Sequence, residues 1–216
     1  MEKRLIIFDY DGVICDSLEA GIAVRRENEP AFSTDDYKRL FDGNVIHTVL
    51  AQKNGKGQGV IGHFFNSLSK VYHTLPLFSG IDLALEKLSK SHTLSIVSST
   101  INPLIEKHTW AQNIHHHFSD LLGSDVHSSK VEKIRMLMEK YNTSPEECVF
   151  ITDTLGDIRE ANTVGIDTIG VLWGFHDRET QNRGKVAHHA ESPHELPDLI
   201  TQHFSKNCSC KKPNDS

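Results

Sequence analysis

Along this chain the apolar positions gather into short unbroken runs, and longer stretches of helical spacing separate them. Runs at residues 4–8 (RLIIF), 93–97 (TLSIV), 148–151 (CVFI) and 168–171 (TIGV) predict β-strands. They are near-continuous rather than alternating, as strands covered on both faces are. Residues 130–141 carry Ile134, Leu137, Met138 and Tyr141 at helical spacing. Residues 157–164 read as another helix, with Gly165 as its stop. Strands alternating with helices imply an α/β fold, a Rossmann-like parallel sheet of βαβ units.

Residues 17–76 break that alternation. Helical spacing covers 18–26, 35–41, 45–52 and 60–72, and the glycine-rich stretch 54–59 (NGKGQG) predicts a loop. A wholly helical block between the first two strands is an insertion long enough for its own small bundle. The expected organisation is a core of residues 1–16 and 77–204, an inserted helical block of 17–76, and a disordered polar tail over 205–216.

Composition narrows the class. A length of 216 residues suits one domain with an inserted lobe, and a hydrophobic share of 38% can build a core. The net charge of −6, from 23 basic and 29 acidic residues, argues against a general nucleic-acid binder. No apolar run approaches the ~18 residues of a membrane span. The apolar residues 5–8 run straight into Asp9, too short for the core of a secretion signal. Cysteines at 15, 148, 208 and 210 form no disulfide framework, and Cys208 and Cys210 lack further metal ligands nearby. The expectation is a cytoplasmic monomer or homodimer with no nucleic-acid or membrane partner.

The densest chemical signal is Asp9-Tyr10-Asp11-Gly12, directly after the first strand. Sites in open α/β sheets form beyond the carboxyl ends of strands. Carboxylates at i and i+2 leave an extended strand on the same side, and Gly12 permits the sharp turn that follows. Such charges repel. Either they are solvated turn residues and helix caps, or a hard cation such as Mg2+ lies between them. A second acidic set, Thr152-Asp153-Thr154-Leu155-Gly156-Asp157, favours the cation. Asp153 ends a strand and Asp157 opens the next helix, where alone it would read as an N-cap. Two strand ends of one sheet can bring Asp9, Asp11, Asp153 and Asp157 around one ion and hold a phosphorylated substrate against it.

Phosphate also needs donors. Ser98, Ser99 and Thr100 follow the strand at 93–97, ahead of a helix with Pro103 in its first turn. Hydroxyls and amides at such a turn hold anions, although a plain helix cap would account for one serine. Lys130 begins its helix, where the helix dipole disfavours a positive charge; an anionic partner would explain it, although a solvated surface lysine is the commoner case. Lys133, one turn on, is the rival.

These four segments, in this order, resemble the haloacid dehalogenase-like hydrolase superfamily, and within it the phosphoglycolate-phosphatase-like branch. The family's DxDG opening with a following DS matches Asp9-Tyr10-Asp11-Gly12 and Asp16-Ser17. Its Ser/Thr matches Ser98, its lysine Lys130, and its closing acidic pair Asp153 and Asp157. Residues 157–175 (DIREANTVGIDTIGVLWGF) resemble its helix-then-strand segment, and the helical block stands where the family carries a cap. The resemblance reaches to about residue 204. Two positions depart from the pattern: Thr152 stands where the family has Gly, and Val131 where proline often follows the lysine.

The resemblance implies a Mg2+-dependent phosphatase of a small phosphorylated metabolite, phosphoglycolate-like or a sugar phosphate. Asp9 would attack phosphorus and form an aspartyl-phosphate. Asp11 would serve as general acid and then as base. Asp9, Asp153 and the Asp11 carbonyl would hold the metal with Asp157 close by, while Ser98, Ser99 and Lys130 grip the phosphoryl oxygens. A phosphomutase of the β-phosphoglucomutase type and a non-catalytic binding relative remain alternatives. No Arg-rich sugar-phosphate loop supports the first, and four intact carboxylates oppose the second. A phosphonate hydrolase would draw an imine lysine from Lys38, Lys53, Lys56 or Lys70, none of which is marked out.

Residues 41–44 (Phe41-Asp42-Gly43-Asn44) are either the cap loop facing the site or an ordinary inter-helix turn. The runs His115-His116-His117 and His188-His189 have no acidic or thiol partners at metal spacing. His176, near a strand end, either approaches the site rim or, as the commoner case, lies at the surface, and Trp173 and Phe175 are expected in packing.

Overall fold

The computed structural model describes residues 3–52 and 57–208. The first half comprises β1 (Leu5–Phe8), α1 (Leu18–Arg26), α2 (Thr34–Arg39), α3 (Val45–Gln52), α4 (Gly57–Leu68), α5 (Ile81–Ser89), β2 (Thr93–Val97) and α6 (Asn102–Ala111). The second comprises β3 (Asp120–Leu122), α7 (Lys130–Tyr141), β4 (Cys148–Thr152), α8 (Leu155–Thr163), β5 (Asp167–Val171), α9 (Arg178–Gln181), β6 (His188–Ala190) and α10 (Leu196–Cys208).

All neighbouring strands are parallel, in the order β3-β2-β1-β4-β5-β6. The winding reverses between β1 and β4, the switch point where open α/β sheets bind ligands. Phe8 registers with Ile96 of β2 and Ile151 of β4. The residues that follow these three strands, Asp9, Ser98 and Asp153, therefore emerge together at the carboxyl edge.

Both faces of the sheet are covered, which accounts for the unbroken apolar runs. Leu5, Ile7, Cys148 and Phe150 pack with Ile134 and Leu137 of α7 on one side. Ile6, Phe8, Leu94 and Ile96 pack with Ile105 of α6 and Ile200 of α10 on the other. A third cluster of Ile22, Tyr37, Leu40 and Phe175 ties the helices between β1 and β2 to the loop after β5.

The elements depart from the sequence reading in several places. Strands β3 and β6 have three residues each at the two edges of the sheet, where a strand needs no unbroken apolar run. Helix α4 starts at Gly57, inside the expected glycine-rich loop, and ends at Leu68, leaving Tyr72 in a 3-10 turn (Tyr72–Thr74). Residues 53–56 of that loop lie outside the described residues. Helix α8 starts at Leu155, with Thr154 as its N-cap, so Asp157 lies inside the first turn rather than opening the helix. Helix α10 carries the chain to Cys208, past the expected end at 204, because Leu196, Ile200 and Phe204 form a buried stripe at i, i+4 and i+8. Cys210 lies outside the described residues. Among the described residues no helix is long and apolar enough to cross a membrane.

Candidate active site

Asp9 leaves β1 almost wholly buried. Its Oδ1 accepts the Tyr10 amide at 2.7 Å and stands 2.8 Å from Lys130 Nζ. Lys130 reaches over from the first position of α7 and also donates to Asp157 Oδ2 at 2.6 Å. Its own amide donates to Glu160 Oε1 at 3.0 Å, so a carboxylate caps the helix start. The anionic neighbours offset the charge that the helix dipole disfavours there. Burial alone would discharge the ammonium, but Asp157 and Asp9 outweigh it and hold Lys130 above its ordinary value. Burial likewise works against Asp157, yet Lys130 and the hydrogen bonds around it keep that carboxyl below the usual range. One of those bonds comes from Thr152, whose hydroxyl donates to Asp157 Oδ2 at 2.8 Å. The departure from the family glycine thus adds a donor to the acidic cluster.

Asp153 is fully buried behind this pair. Its Oδ2 accepts the Phe175 amide at 2.7 Å, while its Oδ1 is buried with no hydrogen-bond partner. Two glycines make room for it. Gly12 has φ 79°, and a Cβ there would stand 2.1 Å from Asp153 Oδ2; one on Gly174 would stand 2.3 Å from Asp153 Cβ. Burial pushes Asp153 up to about 7. Burial, and then the neighbouring carboxylates Asp157 and Asp153, push Asp9 well above the carboxylate range against the pull of Lys130. Three carboxylates share one ammonium, so the site is short of positive charge. An all-oxygen donor set with one orphaned oxygen suits a hard divalent cation such as Mg2+. Among the described residues no three acidic, histidine or cysteine side chains already converge on one metal position. Lys130 stands between Asp9 and Asp157.

Asp11 turns away from the cluster. Its Oδ1 accepts the Tyr72 hydroxyl and its Oδ2 the Thr100 hydroxyl, each at 2.8 Å. Tyr72 belongs to the turn that returns the chain from α4 to the sheet. Beneath it, His108 Nε2 donates to the Leu75 carbonyl at 2.8 Å, so its Nδ1 accepts the Tyr10 hydroxyl at 2.5 Å. Burial keeps that imidazole below its ordinary value, in the neutral form this pairing needs.

Of the two lysines, only Lys130 meets the carboxylates. Lys133 Nζ donates to the Ser98 and Gly123 carbonyls at the ends of β2 and β3. Burial, together with the charge on Lys130, brings its amine down to about 7. Ser98 Oγ accepts the Thr100 amide at 3.0 Å. Ser98, Ser99 and Thr100 line a cavity with Asp9, Asp11, Lys130 and Asp157. Of residues 41–44, Phe41 and Gly43 line it too. They come that close because Gly156 has no side chain; a Cβ there would stand 2.3 Å from the Gly43 carbonyl oxygen. His176, expected at the surface, is buried: its Nδ1 accepts the Leu155 amide at 3.0 Å and its Nε2 donates to the Lys38 carbonyl at 2.9 Å. It satisfies an amide at the start of α8, a demand that surfaces only once that helix is placed.

The sequence model for haloacid dehalogenase-like hydrolases matches residues 6–171. This chain belongs to that family. The phosphoglycolate phosphatase of Synechococcus elongatus is 27% identical over 207 residues, covering 92% of this chain and 98% of its own. A 5'-nucleotidase of Pseudomonas aeruginosa is 24% identical over 92% of this chain and 96% of its own. A haloacid dehalogenase-like family hydrolase from Streptococcus pneumoniae shares the fold, with a TM-score of 0.78 at 21% identity over 92% of this chain and 98% of that one. In this haloacid dehalogenase-like hydrolase the motifs gave no sign of Tyr72, and they showed Thr152 as a departure from glycine rather than as a donor to Asp157. Thr100 was visible as the third of three hydroxyls, but its bond to Asp11 was not. Tyr72 carries no signal in the sequence at all.

Proposed function

We propose that this hydrolase is a Mg2+-dependent phosphatase of small phosphomonoesters that works through an aspartyl-phosphate. The observation that carries the reading is the pairing of buried Asp9 with Lys130, beside the orphaned Oδ1 of Asp153. Asp9, Asp153 and the Asp11 carbonyl would hold Mg2+, with Asp157 alongside. The ion would neutralise carboxylate and phosphoryl charge.

The chain's own groups do the rest. A carboxylate oxygen of Asp9 forms a bond to phosphorus as the ester's P–O bond breaks. Protonated Asp11 gives its proton to the leaving oxygen. In the second half, Asp11 takes a proton from the water that attacks phosphorus, and Asp9 is released. Lys130, Ser98 and Ser99 steady the phosphoryl oxygens. Residues 17–76 act as a cap: helices of that block and the strand ends line one cavity, so closure would exclude water during the first half-reaction.

Asp9→Asn keeps the shape of the side chain and removes the nucleophile. It should abolish Mg2+-dependent release of phosphate from a panel of phosphomonoesters while the circular dichroism spectrum stays that of the parent. Turnover at the parent rate in this variant, or turnover indifferent to chelator, would end the assignment.

A further inference from the structure

The cavity that begins at Asp9 runs into the helical block, and there its wall is apolar: Val45, Val49, Ile61, Phe64, Phe65 and Leu68 supply much of it. Among the described lining residues of the block one side chain is charged, Arg25. It is 8% exposed. Its Nη2 lies 3.2 Å from Glu29 Oε1, and its guanidinium carbon lies 4.8 Å from the centre of the Phe32 ring. Its Nε is buried and has no hydrogen-bond partner. A buried charged donor without an acceptor is costly, and an acceptor brought by a ligand would satisfy it.

Ser17, Gly21 and Arg25 all line the cavity and follow one another at i, i+4 and i+8. They mark one face of α1 along the cavity, with the Tyr37 hydroxyl packed against Gly21. Eight residues of helix span about 12 Å. We propose that the substrate is a phosphomonoester with an aromatic body and a hydrogen-bond acceptor, a carboxylate or carbonyl, at the end remote from phosphorus, and that Arg25 reads that acceptor. This rests on the phosphatase reading above. The aromatic body gains by covering the apolar wall, with Phe64 and Phe65 as ring partners. Phosphoglycolate is too short to bridge the cavity: its carboxylate stands one carbon from the ester oxygen, and it would leave the apolar wall uncovered.

The test compares 4-carboxybenzyl phosphate, benzyl phosphate and 2-phosphoglycolate, three alkyl esters of similar leaving ability, with Mg2+ present. The kcat/KM should fall in that order, by about tenfold or more at each step. Arg25→Met should bring the ratio of the two benzyl esters close to one, and Arg25→Lys should keep part of it. Ile61→Asp should lower benzyl phosphate relative to phosphoglycolate. Each ratio is taken on a single protein sample, so a partly unfolded variant does not distort it. A preference for phosphoglycolate, or equal losses on both benzyl esters in Arg25→Met, would overturn the inference. Hydrolysis of p-nitrophenyl phosphate without hydrolysis of the three esters would overturn it too and leave the phosphatase reading standing. Failure on all four esters would remove both.

Discussion

Asp153 buries a carboxylate oxygen without a partner, and a pH dependence of stability follows. The carboxyl titrates at 3.8 when free and at about 7 in the folded protein. Between those values the folded state holds more protons than the unfolded state, so stability falls as pH rises through the window. A cation on Oδ1 competes with that proton. Added MgCl2 should therefore raise Tm little near about pH 4 and most above about pH 7. A shift of the same size at every pH, read by thermal melts, would remove Asp153 from the ligand set. Asp11 offers a second test. Tyr72→Phe deletes one of the two hydroxyls that orient it, so kcat should fall about ten- to a hundredfold, the range of a hydrogen bond to a charged group. KM and Tm should stay near the parent values; an unchanged kcat would free Asp11 from Tyr72. The contrast between these residues shows what the sequence displays. Asp9, Asp153 and Lys130 follow strands or open a helix at legible places. Tyr72 acts through a hydroxyl contact that exists only once distant segments meet, and the Thr152 contact with Asp157 forms only once the β4–α8 turn is shaped.

Among the elements, legibility tracks burial. β1, β2, β4 and β5 have a neighbour on either side and helices on both faces, so each is largely apolar rather than alternating. β3 and β6 are edge strands and do not: Asp120, His188 and His189 occupy them. α7 was legible because Ile134 and Leu137 recur at helical spacing and both pack on the sheet. Ile134 lies one turn beyond Lys130 and is fully buried against β1 and β4. Ile134→Ala should cost about 2–5 kcal/mol in chemical denaturation, the transfer and cavity terms together. A loss below about 1 kcal/mol would mean that α7 is not anchored at this point.

For the whole molecule the two parts differ in how deeply they are packed. β1 and β4 are buried along their full length, whereas residues 45–51 of α3 are all half-buried or exposed. Amide hydrogen exchange should be slowest in β1 and β4 and markedly faster in α3. Equal protection, measured by mass spectrometry, would contradict that gradient. The register of the sheet has a consequence for how the protein is made. Leu5 pairs with Cys148, so the two innermost strands are separated by 148 − 5 = 143 residues. While the chain is being synthesised, β1 is an edge. A nascent chain that has reached Tyr141 already holds Asp9 and Lys130, yet one side of β1 has no partner and invites wrong pairing. Competence should arise late and in a single step, when β4 takes its place and turns that temporary edge into the centre of the sheet.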